Sequence, residues 1–284
     1  MADEQKYLYA VNWSSSRPQV DLEVQGVFFS SAGRSASVDA LLPVSHWIRT
    51  GWNEMQLYAW PAPFDPEYEL RLSLQYWLPD ENPNKDARTA FTVVIYPGSR
   101  DPNPKVIPGE EGAPMLAKAE DVHWISRDNG EFFELNIRFQ NIQEMPLWCW
   151  EQGDVLMNDT ATRDSLAAEY RRLHGIFKAG SNDVLMEEYA TMIGELAQAS
   201  GQPEGYVRHR TGFQVFFDNP DLFELDPFPS SALKLNLGAS DRVAWLTTKG
   251  VNVPVRFRHL EEEGVSSKVY LYFIHRDGRW EICR

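Results

Sequence analysis

Apolar and polar residues alternate with period two through the first half of the chain, and the alternation stops near Trp148-Cys149-Trp150. Val20, Leu22 and Val24 alternate with Asp21, Glu23 and Gln25, and Met55, Leu57 and Ala59 alternate with Glu54, Gln56 and Tyr58. Leu70, Leu72, Leu74 and Tyr76 repeat the scheme, as do Phe133, Leu135, Ile137 and Phe139. Period two puts one set of side chains on a buried face and the other in water, so each run predicts a half-buried strand. Tyr7–Trp13, Ser37–Leu42 and Phe91–Tyr96, rich in aromatic and branched residues, predict further strands. Glycines and prolines punctuate the gaps, and the Pro/Gly/Glu-rich residues 98–121 predict a long surface loop. Many short strands without a long helix predict an antiparallel β-sandwich, jelly-roll or immunoglobulin-like, over residues 1–157.

After that point the period becomes helical. Leu166, Tyr170, Leu173 and Phe177 form one stripe of a helix, with Thr160 or Thr162 to cap its start and Asp164 in its first turn. Lys178-Ala179-Gly180 closes it. Ser181-Asn182-Asp183 opens a second helix with the stripe Leu185, Tyr189, Met192, Ile193 and Leu196, ending near Ser200-Gly201-Gln202-Pro203. Strand-like runs follow at Gly212–Phe217, Leu233–Leu237, Val243–Thr248, Val251–His259, Lys268–His275 and Arg279–Cys283, and Asp277-Gly278 is a hairpin turn between the last two. Residues 158–284 therefore read as a separate α+β domain, a helical hairpin on a curved antiparallel sheet.

Charge narrows the partners. Residues 1–157 carry 12 Lys and Arg against 23 Asp and Glu, a net −11, while residues 158–284 carry 15 against 18, a net −3. Neither half has the basic footprint of a nucleic-acid binder, and no run is long and apolar enough to span a membrane. An acidic domain is suited to a basic protein partner or to plain solubility. Residues 1–20 contain no signal-peptide core, which makes the cytoplasm the default, or the periplasm if a leader has been removed. Two cysteines, Cys149 and Cys283, are read as free thiols, one bridge being conceivable.

Val24-Gln25-Gly26-Val27, Leu41-Leu42 and Gly51-Trp52-Asn53-Glu54-Met55-Gln56-Leu57 resemble the middle of galactose-binding-like jelly-roll domains. That resemblance implies loops that bind sugars or proteins, with Trp47, Trp52, Trp60 and Trp77 as stacking platforms or as core residues. Tyr170-Arg171-Arg172-Leu173-His174, Gly180-Ser181-Asn182-Asp183 and Asp277-Gly278-Arg279-Trp280-Glu281-Ile282 resemble the nuclear-transport-factor-like, ketosteroid-isomerase-like superfamily. It implies a cone whose pocket is catalytic in some members and not in others.

For catalysis in such a cone the candidates are His174, Tyr170, His209 and Asp218. No nucleophile elbow, phosphate loop or HExxH occurs, so no cofactor is implied. Asp80-Glu81-Asn82-Pro83-Asn84-Lys85-Asp86 looks superficially like a calcium loop, but Lys85 stands where glycine is needed and a polar hairpin loop explains it better; no metal is expected.

Two function classes remain. The favoured one is a non-catalytic interaction protein, of the immunity or inhibitor kind, engaging a basic partner through Trp52, Trp60, Trp77, Asp21, Glu23 and Glu54. The others are a small-molecule isomerase, dehydratase or cyclase working in the cone, and a carbohydrate-binding or envelope-associated module.

Overall fold

A computed structural model describes residues 7–15, 20–32, 38–59, 69–96, 104–127, 130–229, 233–248 and 253–284. The protein mixes α and β structure; its sheets are antiparallel, and among the described residues none closes into a barrel. It divides into two compact units, Met1–Trp148 with Ala199–Gly201, and Cys149–Gln198 with Gln202–Arg284.

In the first unit the strands are β1 (Leu8–Ser15), β2 (Val20–Val24), β3 (Val27–Ala32), β4 (Val38–Pro43), β5 (Gly51–Ala59) and β6 (Leu70–Trp77), then, after the single helical turn α1 (Pro83–Asp86), β7 (Arg88–Ile95), β8 (Lys105–Pro108), β9 (Met115–Arg127) and β10 (Gly130–Asn141). They form two five-stranded sheets, ordered β4-β1-β6-β7-β8 and β3-β2-β5-β10-β9. The period-two pattern sets the register: Leu22 lies opposite Leu57, and Met55 opposite Ile137, all of them buried. Phe91 of one sheet meets Phe139 of the other at 5.6 Å between ring centroids. The stretch expected as a loop over 98–121 instead contains β8 and the start of β9. β8 is an edge strand with exposed Lys105, Ile107 and Pro108, and an edge needs no alternation to bury.

From Cys149 onward come α2 (Cys149–Gln152), α3 (Thr160–Ala179), α4 (Asn182–Glu188), α5 (Ala190–Ser200), α6 (Glu204–Thr211) and α7 (Gln214–Asp218). The strands β11 (Phe223–Leu225), β14 (Val255–His259) and β15 (Ser266–Val269) make one sheet, ordered β11-β14-β15. A second is ordered β12-β13-β16-β17, from β12 (Lys234–Gly238), β13 (Val243–Thr247), β16 (Phe273–Arg276) and β17 (Arg279–Ile282). Leu166, Tyr170, Leu173, Phe177, Leu185 and Ile193 are buried in one cluster with Leu246, Val255, Phe257 and Phe273 of the strands. The helical stripes thus face the sheets.

Several sequence expectations are corrected. Helix α3 is capped by Asp159, whose carboxylate accepts from the Thr162 amide at 2.8 Å, rather than by Thr160 or Thr162. The second predicted helix is two, α4 and α5, separated at Tyr189. Gly212–Phe217 reads as a strand but forms most of α7, because Phe216 stacks on Phe257 at 4.4 Å and tertiary packing outweighs β-propensity. Lys268–His275 splits into β15 and β16, which belong to different sheets. The turn at Asp277 (φ 52°) and Gly278 (φ 74°) has the left-handed pair that a tight hairpin requires.

The cysteines are not free. Cys149 and Cys283 form a disulfide with 6.0 Å between Cα atoms across 134 residues of sequence. Cys149 opens the second unit on α2, beside β16, whose partner β17 leads into Cys283. Arg284 Nη1 donates to the Cys283 carbonyl at 2.6 Å and to Glu195 at 2.5 Å, and the Cys149 amide donates to Glu195 at 2.5 Å. Burial lowers the Arg284 pKa, and the carboxylate of Glu195 opposes that shift.

Candidate functional site

The outward face of β2, β5 and β10 gathers the acidic candidates. Pairing places Asp21, Tyr58 and Glu134 in one row, Glu23, Gln56 and Asn136 in the next, then Glu54 beside Arg138, and Trp52 beside Gln140. Residues between these on the same strands, including Val20, Leu22, Met55, Leu57, Leu135 and Ile137, are buried. The pleat therefore puts four carboxylates, Asp21, Glu23, Glu54 and Glu134, on one side of the sheet.

This face is half-buried, and its electrostatics follow from that. Burial raises the Asp21 pKa above its ordinary value. For Glu23 burial is the largest cause, and the charges of Asp21, Glu134 and Glu54 add to it, against a hydrogen bond from Tyr58; together they lift it from 4.5 to about 7. Among the residues of this face whose side chains are described, Arg138 is the cation, and its guanidinium lies 5.1 Å from the Trp52 ring centroid. Glu23 thus sits among three like charges.

The tryptophans separate. Trp52 is 50% exposed, whereas Trp47 and Trp77 are 3% and 7% exposed in the core and present no face to a ligand. Trp60 lies outside the described residues. The Gly-x-Asn turn is structural: Asn53 is buried, its Oδ1 accepts from the Arg49 amide at 2.9 Å and from Gln25 at 2.8 Å, and its Nδ2 donates to the Arg49 and Gly51 carbonyls, both at 2.9 Å. Glu134 and Arg138 escaped the sequence reading, although their parity with Leu135 and Ile137 assigns them to the wet face.

Three of the catalytic candidates are engaged in hydrogen bonds within the unit. Tyr170 is buried, its hydroxyl donating to the Leu271 carbonyl at 2.8 Å and accepting from the Leu246 amide at 3.3 Å, and burial pushes its pKa up. It ties the helix to β13 and to the segment between β15 and β16. His174 is 9% exposed with Nε2 at 2.8 Å from the Asp226 carbonyl, and Asp218 accepts from Gln214 at 2.6 Å at the end of α7. His209 lies elsewhere, on α6.

The calcium-like stretch is also spent locally. Asn82 accepts from the Asn84 amide at 3.0 Å, and Asp86 accepts from the Asn82 amide at 2.9 Å, so these oxygens cap α1. Among the described residues the grouping with metal-ligand spacing is Cys149, Glu195 and Cys283, but its sulfurs are joined to each other and Glu195 is paired with Arg284. No family model matches the chain, nor does any curated protein or solved structure.

Proposed function

We propose that the protein is a non-catalytic interaction protein of the immunity or inhibitor kind that engages a basic protein partner through the outer face of β2, β5 and β10. The observation that carries this reading is the gathering of Asp21, Glu23, Glu54 and Glu134 on one half-buried face, with Glu23 lifted to about 7. An arrangement kept for solubility alone would spread its charges into water, where repulsion is screened. Exposed Trp52 at the margin supplies the aromatic anchor that protein interfaces favour. On this reading the first unit is a β-sandwich and the second a nuclear-transport-factor-like cone whose interior is filled. The engagement of Tyr170, His174 and Asp218 in hydrogen bonds within the unit supports a cone without chemistry. The disulfide supports an oxidising compartment.

The test is the association rate with poly-L-lysine at low and near-physiological ionic strength. Steering decays over a Debye length of about 8 Å at physiological salt, so the rate should fall markedly with added salt. Asp21→Asn with Glu54→Gln should slow it at low salt. Neutralising Glu261, Glu262 and Glu263, exposed in the second unit, should leave it nearly unchanged. Equal slowing by both sets would reduce the effect to net charge and reject the assigned face.

A further inference from the structure

We propose that a recess between α4, α6 and α7 in the second unit is a binding site for a small oxyanion ligand, a phosphate monoester or a carboxylate on a compact body. The recess has a volume of about 620 Å³, within the range of roughly 300–1,000 Å³ that small-molecule sites occupy. Arg208, His209 and Arg210 line it, with Asn182 and Gln214 as further polar groups, Met186 and Val215 as apolar ones, and Asp183 as its one carboxylate.

Several arginines of this unit are held by carboxylates, Arg172 by Glu169 and Glu188, each at 2.6 Å, Arg258 by Glu224 at 2.5 Å and Arg276 by Glu281 at 2.6 Å, while Arg171 lies over the Phe228 ring and Arg242 donates to the Gly153 carbonyl. Arg208 reaches only the Met186 carbonyl, at 3.4 Å, among the described residues. Arg210 and His209 have no ion pair or side-chain hydrogen bond among the described residues, although the chain carries a net charge of −14. Arg208, His209 and Arg210 are exposed side chains of one helix at the edge of the recess, and a guanidinium left open there matches the forked recognition of a phosphate or carboxylate. Asp183 disfavours a polyanion and selects a ligand that also carries a hydroxyl or amine donor.

The support is rigid. Asn182 Oδ1 accepts from the Phe213 amide at 3.0 Å, holding the α6–α7 junction to the start of α4. The Phe213 ring packs edge-on against Phe177 at 4.9 Å and Tyr189 at 5.4 Å. Gly205, in the first turn of α6, lines the recess, and a Cβ there would meet no atom within 4 Å. A bulky residue at this position can occlude the site without straining the fold, since glycine is the weaker helix former.

The experiment is a titration of amide chemical shifts with AMP and, separately, with lactate, a compact monocarboxylate that carries a hydroxyl. Saturable shifts confined to the neighbourhood of Asn182–Met186 and Gly205–Val215 are expected, and the stronger probe identifies the phosphate or the carboxylate as the preferred group. Arg208→Ala with Arg210→Ala should weaken binding by roughly tenfold or more. Gly205→Phe should abolish it with an unchanged thermal midpoint, which separates blocking from unfolding. No saturable shift with either probe at about 10 mM, a concentration that still detects millimolar affinity, would overturn the proposal. So would binding that survives both variants.

Discussion

Replacing Cys149 and Cys283 together by serine is expected to destabilise the second unit by about 2–5 kcal/mol, the range for removing a native disulfide. The bridge closes a sequence separation of 134 residues, so in the unfolded chain it removes a large amount of conformational freedom. Beside it the Cys283 and Arg284 amides donate to the Tyr272 carbonyl, and the Tyr272 amide donates to the Arg284 carbonyl. Urea denaturation followed by tryptophan fluorescence measures the loss, and the native chain unfolded in dithiothreitol should reproduce it. Both sulfurs are buried, Cys149 at 1% and Cys283 at 0% exposure, so reduction under native conditions should be slow and should accelerate with partial unfolding. Rapid reduction in native buffer, or a loss below about 1 kcal/mol against that range, would mean that the unit does not depend on the bridge.

Leu173→Ala is the second large effect. Leu173 is fully buried on α3 in the cluster that joins the helices to β13, β14 and β16. Truncation removes the transfer energy of the side chain and leaves a cavity in a packed interior, together about 2–5 kcal/mol. Neighbouring Tyr170 is held by its hydroxyl to β13 and to the segment between β15 and β16, which limits how far the helix can settle into the gap. Denaturation of the variant gives the number. A mild loss together with tight binding of a steroid-like ligand would contradict a filled interior and revive the enzyme reading.

The strands of the first unit were legible because one face of each is buried, so that burial and sequence share period two from Val20 to Val24 and from Gly51 to Ala59. β8 was not, because an edge strand exposed at Lys105, Ile107 and Pro108 has no buried set to reveal it. The helix α6 was missed for a related reason: Val207 is its one buried residue, too little for a stripe. In α7 the run Val215-Phe216-Phe217 favours a strand locally, and only the stack on Phe257, distant in sequence, selects a helix.

The acidic candidates show the same division. Asp21, Glu23 and Glu54 were visible from composition and parity, but their union with Glu134 depends on β5 pairing with both β2 and β10. Trp77 looked like Trp52 in the sequence, and burial alone distinguishes them. Pairing of the cysteines, likewise, follows from the path of the chain and not from their spacing.

Glu23→Gln tests whether the face of β2, β5 and β10 holds its carboxylates together at a cost that a cationic partner relieves. Glu23 ionises at 4.5 in its ordinary environment and at about 7 in the fold, so between those values the folded protein holds the extra proton. Its contribution to stability is complete below pH 4.5 and is lost as pH rises through 7. The measurement is the unfolding free energy of both proteins at about pH 8, with and without poly-L-lysine. Without the polycation the glutamine variant should be more stable, by on the order of 1–2 kcal/mol after allowance for solvent screening. With it, the native protein should gain more than the variant, because binding repays ionised Glu23. A variant no more stable than the native protein, or one stabilised equally by the polycation, would contradict the account.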